Sequence, residues 1–191
     1  MAYLVFLDES GFMLIPTVRR TWAPRGQTPV LRHHYRRHKI SAISAVSVSP
    51  SRQRCGLYAH FHLDNITQVE VALFLRLLLR HLHGHIILLW DGGSIHKGPA
   101  VDAVLARHPR LHVERFPGYA PELNPDEFVW NNLKLQLANG APENVEGLAA
   151  SARLHPCYGA SSLAQSCRLF FCPSFLLLLQ RSIVVQEVRD W

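Results

Sequence analysis

Three carboxylates in this chain sit where chemistry would use them. Asp8 ends the apolar run Tyr3-Leu4-Val5-Phe6-Leu7, and Asp91 ends the run His85-Ile86-Ile87-Leu88-Leu89-Trp90. Short unbroken apolar runs suit strands buried on both faces of a partly parallel sheet. If the two strands are parallel neighbours, both aspartates emerge at one sheet edge, where ligands and chemistry gather in α/β proteins. The third acid is Glu127, in Pro117-Gly118-Tyr119-Ala120-Pro121-Glu122-Leu123-Asn124-Pro125-Asp126-Glu127-Phe128-Val129-Trp130. This stretch is a polar loop that starts a helix. Asn124 suits the cap and Pro125 the first helical position, with Glu127 three residues past the cap. One role for Glu127 is local, since Asn-x-x-Glu is close to a capping box. The other is as the third member of an acidic cluster. Three close carboxylates repel, so such a cluster needs shifted pKa values or bound cations. Magnesium or manganese, with their preference for oxygen ligands, meets that need. Two such ions about 3.5–4 Å apart can clamp the attacking and leaving oxygens of a phosphodiester displacement.

Four ordered stretches carry a family resemblance. They are Phe6-Leu7-Asp8-Glu9-Ser10-Gly11-Phe12, Arg20-Thr21-Trp22-Ala23-Pro24-Arg25-Gly26-Gln27-Thr28-Pro29, Leu89-Trp90-Asp91-Gly92-Gly93-Ser94-Ile95-His96-Lys97 and Tyr119 through Trp130. Together they resemble the DDE catalytic domain of mariner-like transposases, specifically the bacterial insertion-sequence 630 group, over roughly residues 1–150. The 36 positions from Asp91 to Glu127 are close to the family's second-to-third acid spacing. Position 92 is Gly where many relatives have Asn. The resemblance implies that Asp8, Asp91 and Glu127 are catalytic and hold two divalent cations, magnesium with manganese as a substitute. Glu9 and Glu122 lie beside them but do not occupy the matching positions. The implied reaction is cleavage of duplex DNA and strand transfer, with no covalent enzyme–DNA intermediate. The implied partners are transposon ends and target DNA, with a homodimer in the DNA complex. Relatives carry helix-turn-helix domains ahead of the catalytic domain. Here Met1 lies almost at the first strand, so the expectation is a truncated chain, or one half of a split transposase with a separately encoded DNA-reading partner.

Composition is consistent with this. The chain has 191 residues, 48% of them hydrophobic, enough for one domain with a core and an appendage. A formal charge of +6 favours a polyanionic partner. The run Arg32-His33-His34-Tyr35-Arg36-Arg37-His38-Lys39 is the densest basic stretch. It is either a solvated loop or a contact to DNA phosphates, with Arg32, Arg36, Arg37 and Lys39 as the candidate cations. His96 and Lys97 either touch DNA, orient groups near the metals, or pack the loop. The four cysteines lack zinc-ribbon spacing and read as reduced thiols. No leader is evident, and the apolar residues 170–179 are short and contain Pro173, so a bacterial cytoplasm is expected with no membrane contact.

The elements that must position these groups follow in order. Residues 2–7 form a strand, Gly11 permits a turn, and residues 13–15 and 19–22 read as short strands around Pro16. Residues 40–48 and 56–63 alternate as antiparallel strands, placing His60 and His62 on one face. Thr67-Gln68-Val69-Glu70 is a capping box opening a helix over 69–82, stopped by Gly84, with His81, His83 and His85 complementing its end. A helix from Gly98-Pro99 must end by Pro109, and residues 111–116 form a strand. In the helix begun at Pro125, Val129, Trp130, Leu133 and Leu137 form the core stripe. This is an α/β order matching a ribonuclease-H-like fold, a five-stranded mixed sheet flanked by helices. From about residue 151 the character changes. Residues 151–191 hold three of the four cysteines and do not match the family's arginine-rich terminal helix, so they read as a divergent or out-of-frame tail. The rival readings are an inactive remnant that binds DNA or a subunit, a stand-alone ribonuclease-H-like nuclease preferring an RNA–DNA hybrid, and a metal-free carboxylate-pair glycosidase. The Asn-Pro-Asp-Glu helix start fits the last of these poorly.

Overall fold

A computed structural model describes residues 1–191 except 16, 31–37, 53, 119–120, 141–143, 155–183 and 188–191. The strands are β1 (Ala2–Met13), β2 (Lys39–Val48), β3 (Cys55–His62), β4 (His85–Trp90), β5 (Leu111–Arg115) and β6 (Val184–Glu187). The helices are α1 (Gln68–His81), α2 (Pro99–Arg107), α3 (Pro125–Gln136) and α4 (Val145–Leu154). The sheet order is β5-β4-β1-β2-β3-β6. Its first five strands are the expected mixed sheet: β1–β2 and β2–β3 are antiparallel, while β1–β4 and β4–β5 are parallel. The sixth strand, parallel to β3, comes from the stretch set aside as a tail. An edge strand presents a row of free backbone groups, and β-branched Val184 and Val185 suit pairing with it. α4 also runs across the expected boundary at residue 150.

Strand alternation divides the core into two layers. Val5 and Leu7 of β1, Ile43 and Ala45 of β2, and Ile86 and Leu88 of β4 pack under α1 and α2. Phe6, Val46 and Leu57 face α3 through Val129, and Phe12, Ile40 and Ala42 face it through Trp130. Trp130 meets Phe12 edge-on at 5.8 Å. Leu133 and Leu137 pack on the same cluster, completing the stripe expected for α3.

The helix ends follow local chemistry. Thr67 caps α1, with its Oγ accepting from Val69 N at 3.2 Å and its N–H donating to Glu70 at 2.8 Å, so the capping box forms. The other end of α1 is closed by a residue that helix signals do not reveal. Arg110 donates to the carbonyl oxygens of Leu79, Leu82 and Gly84 at 2.5–2.7 Å. It supplies the positive charge expected from the histidines. His81 instead bonds back to Leu77 O within its own helix. Gly98, at φ 134°, lets the chain enter α2 against Gln68, whose amide oxygen accepts from Ala100 N.

Two local expectations are corrected. Gly11 does not turn the chain, and residues 2–7 are only the first half of β1. The pairing with β2 continues to Met13 opposite Lys39 and holds the backbone extended. Residues 19–22 form no strand; Trp22 there is fully exposed, without a sheet neighbour to supply the ladder.

Candidate active site

Register brings the acids together. Phe6 pairs with Leu89 in the parallel β1–β4 ladder. The same offset (89 − 6 = 91 − 8 = 83) sets Asp8 level with Asp91, just past the end of β4. Because β1 is longer than expected, Asp8 lies inside a strand rather than at its end. Alternation puts Asp8 on the α3 side with Phe6, and sends Glu9 to the α1 side with Leu7. This separates the adjacent acids more firmly than their spacing implies.

Glu127 arrives from the first turn of α3. Asn124 caps that helix by accepting from Asp126 N at 3.1 Å. Glu127 makes no return bond to the cap among the described residues, so the capping-box role is not the one it takes. Its charge is instead felt by Asp8. Burial, then the charges of Glu127, Glu9 and Asp91, push the Asp8 carboxyl from 3.8 to about 7, only partly offset by a main-chain hydrogen bond from Glu9. Among the described residues no lysine or arginine pairs with these acids.

The one cationic partner is His96. Its ring is buried and lies flat on Trp90, with centroids 4.4 Å apart and planes 1° from parallel. Nε2 is 3.0 Å from Glu9 Oε1, and Nδ1 is 2.9 Å from Asp91 Oδ1. Burial alone would lower its pKa; the hydrogen bond to Glu9 and the charges of Glu9 and Asp91 outweigh that, and the net is raised. Asp91 Oδ1 also accepts from Gly93 N at 2.8 Å, so this carboxylate is turned toward its own loop. Among the described residues no three ligating side chains stand close enough to enclose a metal ion. The acids are coupled electrostatically without converging, as mutually repelling carboxylates do. Their donor set, all carboxylate oxygen with a proton held on Asp8 near neutrality, fits a hard divalent cation.

Beneath the acids lies a pair that motif reading missed. Ser44 Oγ donates to Asp126 Oδ1 at 2.6 Å, and both residues are 0% exposed. Burial, outweighing the Ser44 hydrogen bond and joined by the charges of Asp8, Glu9 and Glu127, raises the Asp126 carboxyl well above the usual range. The signal was the serine spacing in β2, Ser41, Ser44 and Ser47, inside an otherwise apolar strand.

Of the expected DNA contacts, Lys39 is exposed at the start of β2 and Lys97 is exposed in the loop after Asp91. Lys97 and Arg115 border a cleft of about 350 Å³ that reaches Asp91. His96 is buried inside the site rather than displayed beside it. Arg32, Arg36 and Arg37 lie outside the described residues, as do His33 and His34, and Cys157, Cys167 and Cys172. Cys55 is buried in the layer that faces α3. The rings of His60 and His62 lie 6.4 Å apart, tilted by 45°, on one face of β3. No helix among the described residues is long and apolar enough to cross a membrane.

A mixed sheet with helices on both faces, carrying acids level on its central strands and a third at a helix start, defines a ribonuclease-H-like catalytic core. The chain belongs to the DDE superfamily endonucleases, whose family model matches residues 3–149. No curated protein sequence matches it. Among solved structures it is similar to the Mos1 mariner paired end complex with Mn, at 17% identity and a TM-score of 0.61 over 91% of this chain and 53% of that one. It is also similar to the mariner Mos1 paired end complex with Mg, at 18% identity and 0.58, covering 93% and 52%. The Mos1 strand transfer complex gives 18% and 0.55, covering 85% and 54%. These likenesses show the fold, and the chain spans about half the length of the relatives they describe.

Proposed function

We propose that this chain is the catalytic domain of a DNA transposase of the insertion-sequence type, cleaving duplex DNA and joining the freed end to target DNA. The observation that carries the reading is the β1–β4 register, which sets Asp8 level with Asp91, together with the start of α3, whose Glu127 adds its charge to the burial that raises the Asp8 carboxyl to about 7. Asp8 and Asp91 are assigned as ligands shared between two divalent cations, magnesium with manganese as substitute, and Glu127 as ligand to the second. When bound, such ions lower the pKa of an attacking hydroxyl and neutralise charge on the leaving 3′-oxygen. The relatives crystallised with Mn and with Mg support this choice. The chain's own residues hold Asp8 level with Asp91, and Asp8 would give up its proton to serve as a ligand. His96 orients Glu9 and Asp91 from within. Lys39 and Lys97, with Arg32, Arg36 and Arg37, are assigned to phosphates, which need charge and little sequence specificity.

The relatives in paired-end and strand-transfer complexes support transposon-end DNA as a partner; target DNA and a homodimer handling two ends are assigned with it as part of the same reading. A separately encoded N-terminal half would read the transposon ends. Residues 1–150 are assigned as the catalytic unit and 151–191 as an appendage that completes α4 and lends β6 to the sheet edge, in a bacterial cytoplasm. The test is nicking of a duplex transposon-end substrate in manganese by the wild type and Asp91→Asn, beside an RNA–DNA hybrid. Metal-dependent nicking of duplex DNA that Asp91→Asn loses is the expected result. Nicking retained by Asp91→Asn overturns the assignment, and preference for the hybrid makes the protein a stand-alone nuclease. No cleavage by a folded protein leaves the remnant reading.

A further inference from the structure

Ser44 and Asp126 connect the two halves of the acidic site. Ser44 is the residue directly opposite Asp8 in the β1–β2 register, and Asp126 is the residue before Glu127. Their hydrogen bond spans 82 positions of sequence and is shut off from solvent. It joins the neighbour of one acid to the neighbour of another. Apolar packing already docks α3 through Val129 and Trp130, about one turn further along. Two side-chain hydrogen bonds fix the first turn, the Asn124 cap and this bond. The cap shapes the turn, whereas the bond sets its height above the sheet. The pair is also a poor device for stability alone. Asp126 Oδ2 has no hydrogen-bond partner among the described residues, and an apolar pair of similar shape would bury no unsatisfied oxygen.

We infer that the Ser44–Asp126 hydrogen bond is a positioning strut that holds Glu127 over Asp8. Its consequence for metal binding rests on the function proposed above; its geometric claim does not. Two measurements on the purified chain separate them. The first is metal-free. Asp8→Asn and Glu127→Gln each relieve one repulsion, so in urea denaturation at pH 8 the double variant gains less than the sum of the singles. With Ser44→Ala as background the strut predicts that this shortfall disappears. Asp126→Asn, which keeps the acceptor Oδ1, should retain it. Ser47→Ala, a buried serine in the same strand away from the acids, should lower stability yet leave the shortfall intact. If Ser44→Ala does not fold, Ser44→Cys, a weak donor of similar size, takes its place. A shortfall unchanged by loss of the Ser44 hydroxyl overturns the strut.

The second measurement is a manganese titration followed by thermal shift. Loss of the strut should raise the half-saturating concentration about tenfold, as for supporting groups around other metal ligands, with Ser47→Ala unchanged. A wild type that ignores manganese but keeps the Ser44-dependent shortfall contradicts the proposed function and leaves the strut standing. A manganese response equal in wild type and Ser44→Ala means that the strut does not serve the ligands.

Discussion

Replacing Asp8 by Asn should make the metal-free protein more stable, although it removes a residue assigned to the chemistry. Asp8 sits among Glu127, Glu9 and Asp91 and is mostly buried, so its carboxyl ionises near 7 in the folded chain instead of 3.8. Below pH about 4 the group is neutral in folded and unfolded chains alike, and its contribution is fully present. As the pH rises the unfolded chain loses its proton first, while the folded chain holds on. Stability therefore falls with pH until about 7 is passed, and is level above that. At 1.36 kcal/mol per pH unit, the gap from 3.8 to about 7 amounts to about 4 kcal/mol of native-state stability lost by pH 8. Asn keeps the shape and cannot ionise. Allowing for the amide's own burial, Asp8→Asn should gain about 2–4 kcal/mol at pH 8 and little at pH 4. His96 and Asp126, both raised, act in the same direction; Asp126 also feels the Asp8 charge, so the gain in the variant includes relief of that repulsion. The assay is urea denaturation in EDTA at pH 4, 6 and 8. A variant no more stable than wild type at pH 8, or a gain of equal size at every pH, refutes the claim that burial and the neighbouring acids hold the Asp8 carboxyl near 7.

Other consequences follow from the same contacts. The apparent manganese affinity should rise about fivefold between pH 6 and 7 and about twofold more by pH 8, because Asp8 must release its proton to bind; a pH-independent thermal shift contradicts this. Arg110→Ala strips three carbonyl oxygens at the end of α1 of their donor and should cost about 2–3 kcal/mol in urea denaturation, while Arg107→Ala nearby costs under about 0.5. Gly98→Ala forces a side chain into φ 134° and against Gln68, and should lose about 1–3 kcal/mol by the same assay.

The sequence showed most of the fold because each element carries its own signal. The Thr67 capping box, Pro125 at a helix start and the core stripe of α3 all formed where local chemistry put them. What it did not show depends on partners distant in the chain. β1 runs on to Met13 because β2 lies beside it, a fact Gly11 could not reveal. Arg110 closes α1 from 26 or more positions away, while the nearer histidines do other work. In the site, the three acids were legible as ends of apolar runs and a helix start, and the register sets Asp8 level with Asp91. The buried support was not legible. Ser44 reads as an ordinary strand residue until it faces Asp126, and His96 reads as a surface cation until Trp90 and Glu9 enclose it.

The central claim is that Asp8, Asp91 and Glu127 act as one cation-binding cluster. The most direct test is manganese binding to the purified chain at pH 8, read as a rise in unfolding free energy, beside Asp8→Asn, Asp91→Asn and Glu127→Gln. A ligand bound only by the folded state adds about 2.7 kcal/mol at a hundredfold excess over its Kd. The account predicts that rise in the wild type and its loss in all three variants. A rise that survives in any one of them would place the cation elsewhere and contradict the cluster.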